Sequence, residues 1–166
     1  MQQFLESLEQ TALGEFIHTS SSLWAFPFVL TVHTFGLCFI VGANTIVSMR
    51  LLGIATIIPL APLRRLFPFM WLGLILTVLS GFSLAIAAAT TRLLNPILLV
   101  KLVVIAVATP LMWRMQKKVF DKALISTDTV PQGARTMAAA QLCLWLLVMV
   151  AGRLIAYSAT ILGDGY

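Results

Sequence analysis

One histidine, His33, lies inside an apolar stretch of this chain. From Leu23 to Met49 the sequence contains no formally charged residue. As a helix, this stretch is long enough to cross a hydrocarbon core of ~30 Å. A titratable ring at that depth costs free energy unless it faces the protein interior and finds a partner. Imidazole is also a ligand of haem iron. His33 is therefore the first residue to consider as part of a binding site.

Two more basic residues, Lys101 and Arg153, lie inside later apolar stretches. Helical rise, counted from the ends of the predicted spans, places His33 ~15 Å, Arg153 ~12 Å and Lys101 ~8–9 Å below the same membrane surface. The spans contain no carboxylate at that depth. Uncompensated positive charge is expensive in lipid. We therefore expect an anionic ligand, outer-surface acids such as Glu15, or a partner subunit to neutralise these groups.

A haem b or a quinone would satisfy all three basic residues. Haem offers iron to His33 and two propionates to Arg153 and Lys101, whereas a quinone accepts hydrogen bonds from His33 and Arg153. Met149, one turn before Arg153, is one candidate for a second axial ligand. His18 is the other, if the break at Thr19–Ser22 folds it back, because in a continuous helix it would lie ~22 Å from His33.

Each of these residues also has a simpler interpretation. His33 can donate to a hydroxyl or carbonyl group on a neighbouring helix, or bind another metal. The stem of Lys101 can extend to the interface instead of turning inward. His18 can be a surface residue and Met149 a packing residue, while Tyr157 shares the face of Arg153.

The composition predicts the elements that position these residues. The chain has 166 residues, of which 60% are hydrophobic and 10% are charged, and its mean hydropathy is +0.98; a soluble domain would carry roughly a quarter charged residues. We predict an all-α fold, a transmembrane four-helix bundle over residues 23–166, with spans at about 23–50, 67–91, 96–113 and 137–161. Residues 1–22 are predicted to form an amphipathic interfacial helix and its cap.

Periodicity predicts which faces turn inward. The first span carries one polar-containing face that should look into the bundle, because lipid offers Asn44 no partner; its members are His33, Leu37, Ile40, Asn44, Val47, Ser48 and Leu51. The second span carries a stripe of small residues that permits close helix packing, formed by Gly73, Thr77, Ser80, Gly81, Ala87 and Ala88. Asn95-Pro96 is a typical helix start.

The distribution of Lys and Arg predicts the orientation. Basic residues concentrate in the first and third connections, which should therefore be cytoplasmic, so that both termini face outward from a bacterial inner membrane. The net charge of +5 is thus a topology signal, and we expect no nucleic-acid partner. The expected partners are the lipid bilayer and another membrane or periplasmic subunit, or further copies of this chain.

Several short motifs resemble a family of small bacterial four-helix membrane proteins known as a domain of unknown function. They extend over nearly the whole chain and comprise Trp24 with Pro27, His33-x-x-Gly36, Ser48–Gly53, Ser80-Gly81, Asn95 with Lys101, and Gly152–Tyr157. The chain is more loosely similar to copper-resistance D proteins and cytochrome-b-like bundles. In the family pattern an aspartate precedes Arg-Leu-Leu-Gly, where this chain has Met49. The resemblance implies no particular activity for this chain.

The sequence favours an accessory redox or electron-transfer subunit that binds haem b or quinone, with His33, Arg153 and Lys101 as the main contacts and Asn44, Met149, Tyr157 and His18 around them. One alternative is a non-catalytic structural or anchoring subunit of a larger membrane complex, and another is a metal or small-solute permease. A stand-alone enzyme is not expected, because the sequence lacks a phosphate-binding loop, an HExxH motif and a Ser/His/Asp set at matching depth.

Overall fold

The described part of the chain is built from four long helices. The computed structural model describes residues 7, 10, 11, 25–87, 89, 93, 95–120 and 130–161. The helices are α1 (Ala25–Leu52), α2 (Phe67–Ile86), α3 (Pro96–Val119) and α4 (Ala134–Ile161), and a short helix at Leu60–Leu63 with a 3₁₀ turn at Arg64–Leu66 leads into α2. Each of the four is long and apolar enough to cross a membrane. The prediction of an all-α four-helix bundle is confirmed, and the protein is a multi-pass membrane protein.

Large apolar side chains cover the outside of the bundle, as expected of a surface solvated by lipid. They occur on all four helices, for example Phe28, Phe35, Ile75, Phe82, Leu99, Val103, Leu147 and Val150. The predicted N-terminal amphipathic helix lies, apart from residues 7, 10 and 11, outside the described residues.

The helix boundaries differ most from prediction at three places. The α3 helix continues to Val119 rather than ending near Trp113, because Met115 and Val119 are buried and hold the polar extension against the bundle. The α4 helix begins at Ala134, three residues earlier than predicted, and α2 ends at Ile86 rather than at residue 91. Asn95 caps α3 as predicted, its side-chain oxygen accepting a hydrogen bond from the backbone N–H of Ile97 at 2.9 Å.

A glycine ends α1. Gly53 has a φ of +87°, its N–H bonds to the carbonyl of Arg50, and the N–H of Ile54 bonds to the carbonyl of Met49. This is the Schellman arrangement, which favours glycine because of the positive φ. The buried guanidinium of Arg50 donates from Nε to the carbonyl of Ile58 and ties the following connection to the helix end.

The connections divide the bundle into two ends. At the end that we call the basic end, α1 and α3 finish and α2 and α4 begin, and seven described basic residues lie there: Arg50, Arg64, Arg65, Arg114, Lys117, Lys118 and Arg135. The opposite end, where α1 begins and α4 finishes, is called the termini end. At the basic end, Trp71 Nε1 donates to Gln116 Oε1 at 3.0 Å and Phe67 packs edge-on against Phe120, which joins α2 to α3.

The α1 and α4 helices form the middle of the bundle: α1 packs against α2 and α4, and α4 packs against α1 and α3. The predicted inward face of α1 is confirmed: its members are buried, apart from the half-buried Leu37.

Glycines bring α1 and α2 into backbone contact. A Cβ placed on Gly36 would lie 2.9 Å from the carbonyl oxygen of Gly73, and one on Gly73 would lie 2.6 Å from the carbonyl oxygen of Gly36.

The two halves of the bundle are packed differently. The continuous hydrophobic core occupies the half towards the basic end, where Ile40 to Leu51 of α1 meet large side chains from the other three helices. In the half towards the termini end, the buried residues of α1 to α4 are mainly small or polar; they include His33, Gly36, Ser80, Ala87, Asn95 and Ala151. The half that contains His33 is therefore not filled by large apolar side chains of the described residues.

Candidate functional site

The side chain of His33 is buried between α1 and α2. Its Nδ1 lies 2.9 Å from Ser80 Oγ, and the position of a Cβ on Gly81 would lie 3.1 Å from its Cε1. The small residues of α2 thus give the ring room to lie against that helix. The hydrogen bond is of the kind expected for a satisfied intramembrane histidine, and its partner is a hydroxyl on a neighbouring helix.

The bonding of Ser80 assigns the tautomer of His33. The hydroxyl of Ser80 donates to the carbonyl oxygen of Leu76, four residues earlier on the same helix. Since the single hydroxyl proton is used there, the oxygen accepts from His33, and Nδ1 carries the ring proton. The other nitrogen, Nε2, is then the acceptor of the neutral ring. A hydrogen bond at Nδ1 that fixes Nε2 as the basic atom is the usual way in which proteins orient a ligating or proton-accepting imidazole.

Lys101 turns towards α4. It is half-buried, and its Nζ lies 3.5 Å from the position that a Cβ on Gly152 would occupy. The absence of a side chain at Gly152 therefore makes room for the ammonium group. Of the two orientations predicted for this residue, the inward one is observed. Lys101 and His33 lie in the same half of the bundle, ~8 Å and ~12 Å along their helices from the termini end.

Arg153 does not lie inside the bundle. Its side chain is exposed, as are those of Met149 and Tyr157, which are 45% and 56% exposed. The structure therefore does not bring Arg153 together with His33 and Lys101 in the interior, as the sequence had predicted. The buried stripe of α4 runs through Trp145, Val148 and Ala151. At 100° per residue Arg153 is rotated about 200° from Ala151.

The outward face of α4 forms a shallow groove around Arg153, lined also by Leu146, Met149, Val150 and Leu154. The guanidinium is therefore surrounded by apolar side chains on a surface that faces away from the helix bundle. Tyr157 extends the same face by one turn. These three predicted site residues belong to an outer surface, separate from the interior site of His33.

Asn44 is fully buried, as predicted, but neither atom of its amide has a hydrogen-bond partner among the described residues. Four other buried polar groups share this condition: Ser48 Oγ on the same helix, Thr77 Oγ1 on α2, and Gln141 Oε1 and Trp145 Nε1 on α4. Sequence reasoning did not identify Gln141 or Trp145. The spacing of Gln141 and Trp145 at i and i+4 places two polar side chains on one face of an apolar helix, and this pattern could have identified them.

The described residues fit a haem only in part. His33 has the tautomer of an axial ligand, but Met149 is exposed on α4 and His18 lies outside the described residues. Arg153 faces away from the interior and is not placed to hold a propionate beside His33. Within the described ranges no group of three His, Cys, Asp or Glu side chains is arranged to hold a metal ion.

No protein-family model, no curated protein and no solved structure matches this chain. The function is accordingly argued from the chain's own residues.

Proposed function

We propose that this protein is an accessory redox subunit of the bacterial inner membrane that binds a quinol at His33. The observation that supports the proposal is the hydrogen-bond relay from His33 Nδ1 to Ser80 and on to Leu76. This relay makes Nε2 an acceptor, and an acceptor suits the hydroxyl group of a reduced quinol. The carbonyl oxygen of an oxidised quinone would instead require a donor.

The surroundings of His33 favour a ligand with a small polar head and an apolar body. The buried residues of that half are small or polar, and the outer surfaces of the helices are apolar, so a head group can enter beside His33 while an isoprenoid chain stays in lipid. Lys101, which also turns inward in this half, supplies the donor for the second ring oxygen. The chain's residues would bind and orient the quinol, and Nε2 would hold a proton released from its hydroxyl.

The basic end supports the predicted orientation, with both termini outside the cytoplasm. A subunit of this size with one titratable interior ring needs a partner to pass electrons on. We expect that partner to be a larger membrane or periplasmic complex, or further copies of the chain.

Binding of a short-chain quinol to the purified protein in lipid nanodiscs tests the proposal. We expect the reduced form to bind more tightly than the oxidised form, and to shift the ¹⁵N resonance of His33 Nε2. His33→Ala should weaken quinol binding by roughly ten-fold or more, the value of one buried hydrogen bond. Thr34→Val is a matched control, because Thr34 is exposed on the next position and bonds only within α1, to the carbonyl of Leu30.

Equal binding by wild type and His33→Ala, or equal affinity for the two oxidation states, would contradict the assignment of a quinol site at His33.

The outward face of α4 supports a second candidate function, a non-catalytic anchoring subunit. A guanidinium on an apolar, outward-facing groove is costly in lipid unless another molecule pairs with it. Absence of quinol binding, together with loss of a co-purifying membrane protein in Arg153→Ala, would favour that candidate.

A further inference from the structure

Four polar side chains in the apolar core have atoms that find no hydrogen-bond partner among the described residues. They form two pairs, each one helical turn apart: Asn44 and Ser48 on α1, and Gln141 and Trp145 on α4. All four are between 0% and 1% exposed. The unpartnered atoms are Asn44 Nδ2 and Oδ1, Ser48 Oγ, Gln141 Oε1 and Trp145 Nε1, each without a hydrogen bond to the described residues. Buried polar groups are almost always bonded, because leaving them unbonded is expensive.

The two pairs lie at the same level of the bundle. The helices α1 and α4 pack against each other in opposite directions, and Gly53, after the end of α1, lies next to the side chain of Arg135 at the start of α4. Measured from these aligned ends, Ser48 and Asn44 are ~6 and ~12 Å along α1, and Gln141 and Trp145 are ~10 and ~16 Å along α4. The core residues around them, Val47, Ala138 and Val148, belong to one continuous cluster.

The side chain of Gln141 has one fixed end. Its Nε2 donates to the carbonyl oxygen of Ala108 on α3 at 3.3 Å, so the amide is anchored there and its Oε1 points in another direction. Thr77, whose hydroxyl is also unpartnered, belongs elsewhere, because its Oγ1 lies against Gly36, ~12 Å along α1 from Asn44.

The chemistry of the four groups selects a neutral ligand. An indole N–H cannot coordinate a cation, and none of the four groups carries the positive charge that would offset a buried anion. Together the groups offer donors and acceptors in similar number, which suits a small molecule that both donates and accepts. We propose that the α1–α4 contact holds ordered water that bridges Asn44, Ser48, Gln141 and Trp145. This is a hydrated polar site in the middle of the hydrophobic core, independent of the quinol proposal.

Solution NMR of the full chain in nanodiscs, labelled with ¹⁵N-tryptophan, tests the proposal directly. Trp145→Phe identifies the indole resonance of Trp145. We expect that resonance to show a nuclear Overhauser cross-peak to water in the wild type and to lose it in Asn44→Leu, which removes two of the bridging atoms. A Trp145 indole proton without a water cross-peak in the wild type would overturn the proposal.

Stability provides a second measurement. If water satisfies the polar groups, Asn44→Leu breaks the network and should raise the unfolding equilibrium constant roughly ten-fold. If the site is dry, the same change removes two unsatisfied atoms and should lower that constant, which would overturn the proposal. Thr45→Val is the matched control, because Thr45 is the next residue and its hydroxyl bonds within α1 to the carbonyl of Val41; it should change the constant by less than about two-fold.

Discussion

At the scale of single residues, Ser80 determines which chemistry His33 can perform. A serine hydroxyl in a transmembrane helix commonly bonds to the carbonyl four residues earlier, and here that bond commits the only hydroxyl proton. The histidine must then donate, so its acceptor nitrogen is set by a residue 47 positions away in the chain. Neither His33 nor Ser80 alone determines which ring nitrogen is the acceptor.

Replacing Ser80 by alanine tests this arrangement. Ser80→Ala leaves the buried Nδ1–H without its acceptor, and we expect the free energy of unfolding to fall by about 1–3 kcal/mol. The ¹⁵N spectrum of His33 should show Nδ1 protonated in the wild type and a mixture of tautomers in the variant. Ser83→Ala is the control, since Ser83 is on the same helix and its hydroxyl donates in the same way, to the carbonyl oxygen of Leu79. A wild-type spectrum with the proton on Nε2 would contradict the assignment.

At the scale of elements, the α1–α2 contact depends on two glycines at the point where the helix backbones meet. Neither position has space for a methyl group, because at both of them backbone atoms of the opposing helix lie under 3.0 Å from the added carbon, and at Gly36 the Oγ1 of Thr77 does so as well. A backbone cannot move aside as a flexible side chain can, so the helices would have to separate along their whole contact. That contact is also what holds His33 against Ser80.

Single alanine substitutions measure this dependence. Gly36→Ala and Gly73→Ala should each reduce the free energy of unfolding by about 1–3 kcal/mol, the usual cost of overpacking, and should weaken the His33–Ser80 hydrogen bond. Gly42→Ala is a matched control on α1, because a methyl group there meets nothing within 4 Å. It should be neutral or stabilising by up to about 1 kcal/mol, since alanine is the better helix former. Detergent-titration unfolding of the three variants would decide; equal effects at all three glycines would contradict the argument.

At the scale of the whole molecule, the bundle is asymmetric along its axis. One end collects the basic residues, the Trp71–Gln116 hydrogen bond and the large apolar core, while the other half contains the buried His33, the half-buried Lys101 and small residues. In membrane proteins, the loops rich in Lys and Arg usually stay on the cytoplasmic side, and this rule would place the basic end inside the cell. The rigidly packed half would then lie in the inner leaflet and the candidate site in the outer one.

Thiol labelling in intact cells tests this orientation. In a chain with Cys38→Ala and Cys143→Ala, we expect Ile57→Cys and Gln132→Cys, both exposed at the basic end, to react with an impermeant thiol reagent only after the inner membrane is broken. Leu93→Cys, in the connection at the termini end, should react without that step. Labelling of Ile57→Cys in cells with an intact inner membrane would reverse the orientation and move the candidate site to the inner leaflet.

The sequence alone determined the number of spanning helices, the Asn95 cap and the inward face of α1. These features depend on local information: a run of apolar residues long enough for the bilayer, a side chain that reaches its own helix start, and polar residues that lipid would leave unbonded. The position of His33 on that face was predicted for the same reason.

Only the tertiary structure decided the rotation of α4 and the partners of the polar residues. In a soluble bundle a polar face marks the outside of each helix, but here lipid and core are both apolar, so Arg153 and Trp145 are not assigned to a face by hydrophobicity. Close packing against α1 and α3 selects the face that carries Gln141, Trp145 and Ala151, and it turns Arg153, Met149 and Tyr157 outward. The site around His33 is likewise a product of helix packing, because its defining hydrogen bond joins two helices whose register no local pattern specifies.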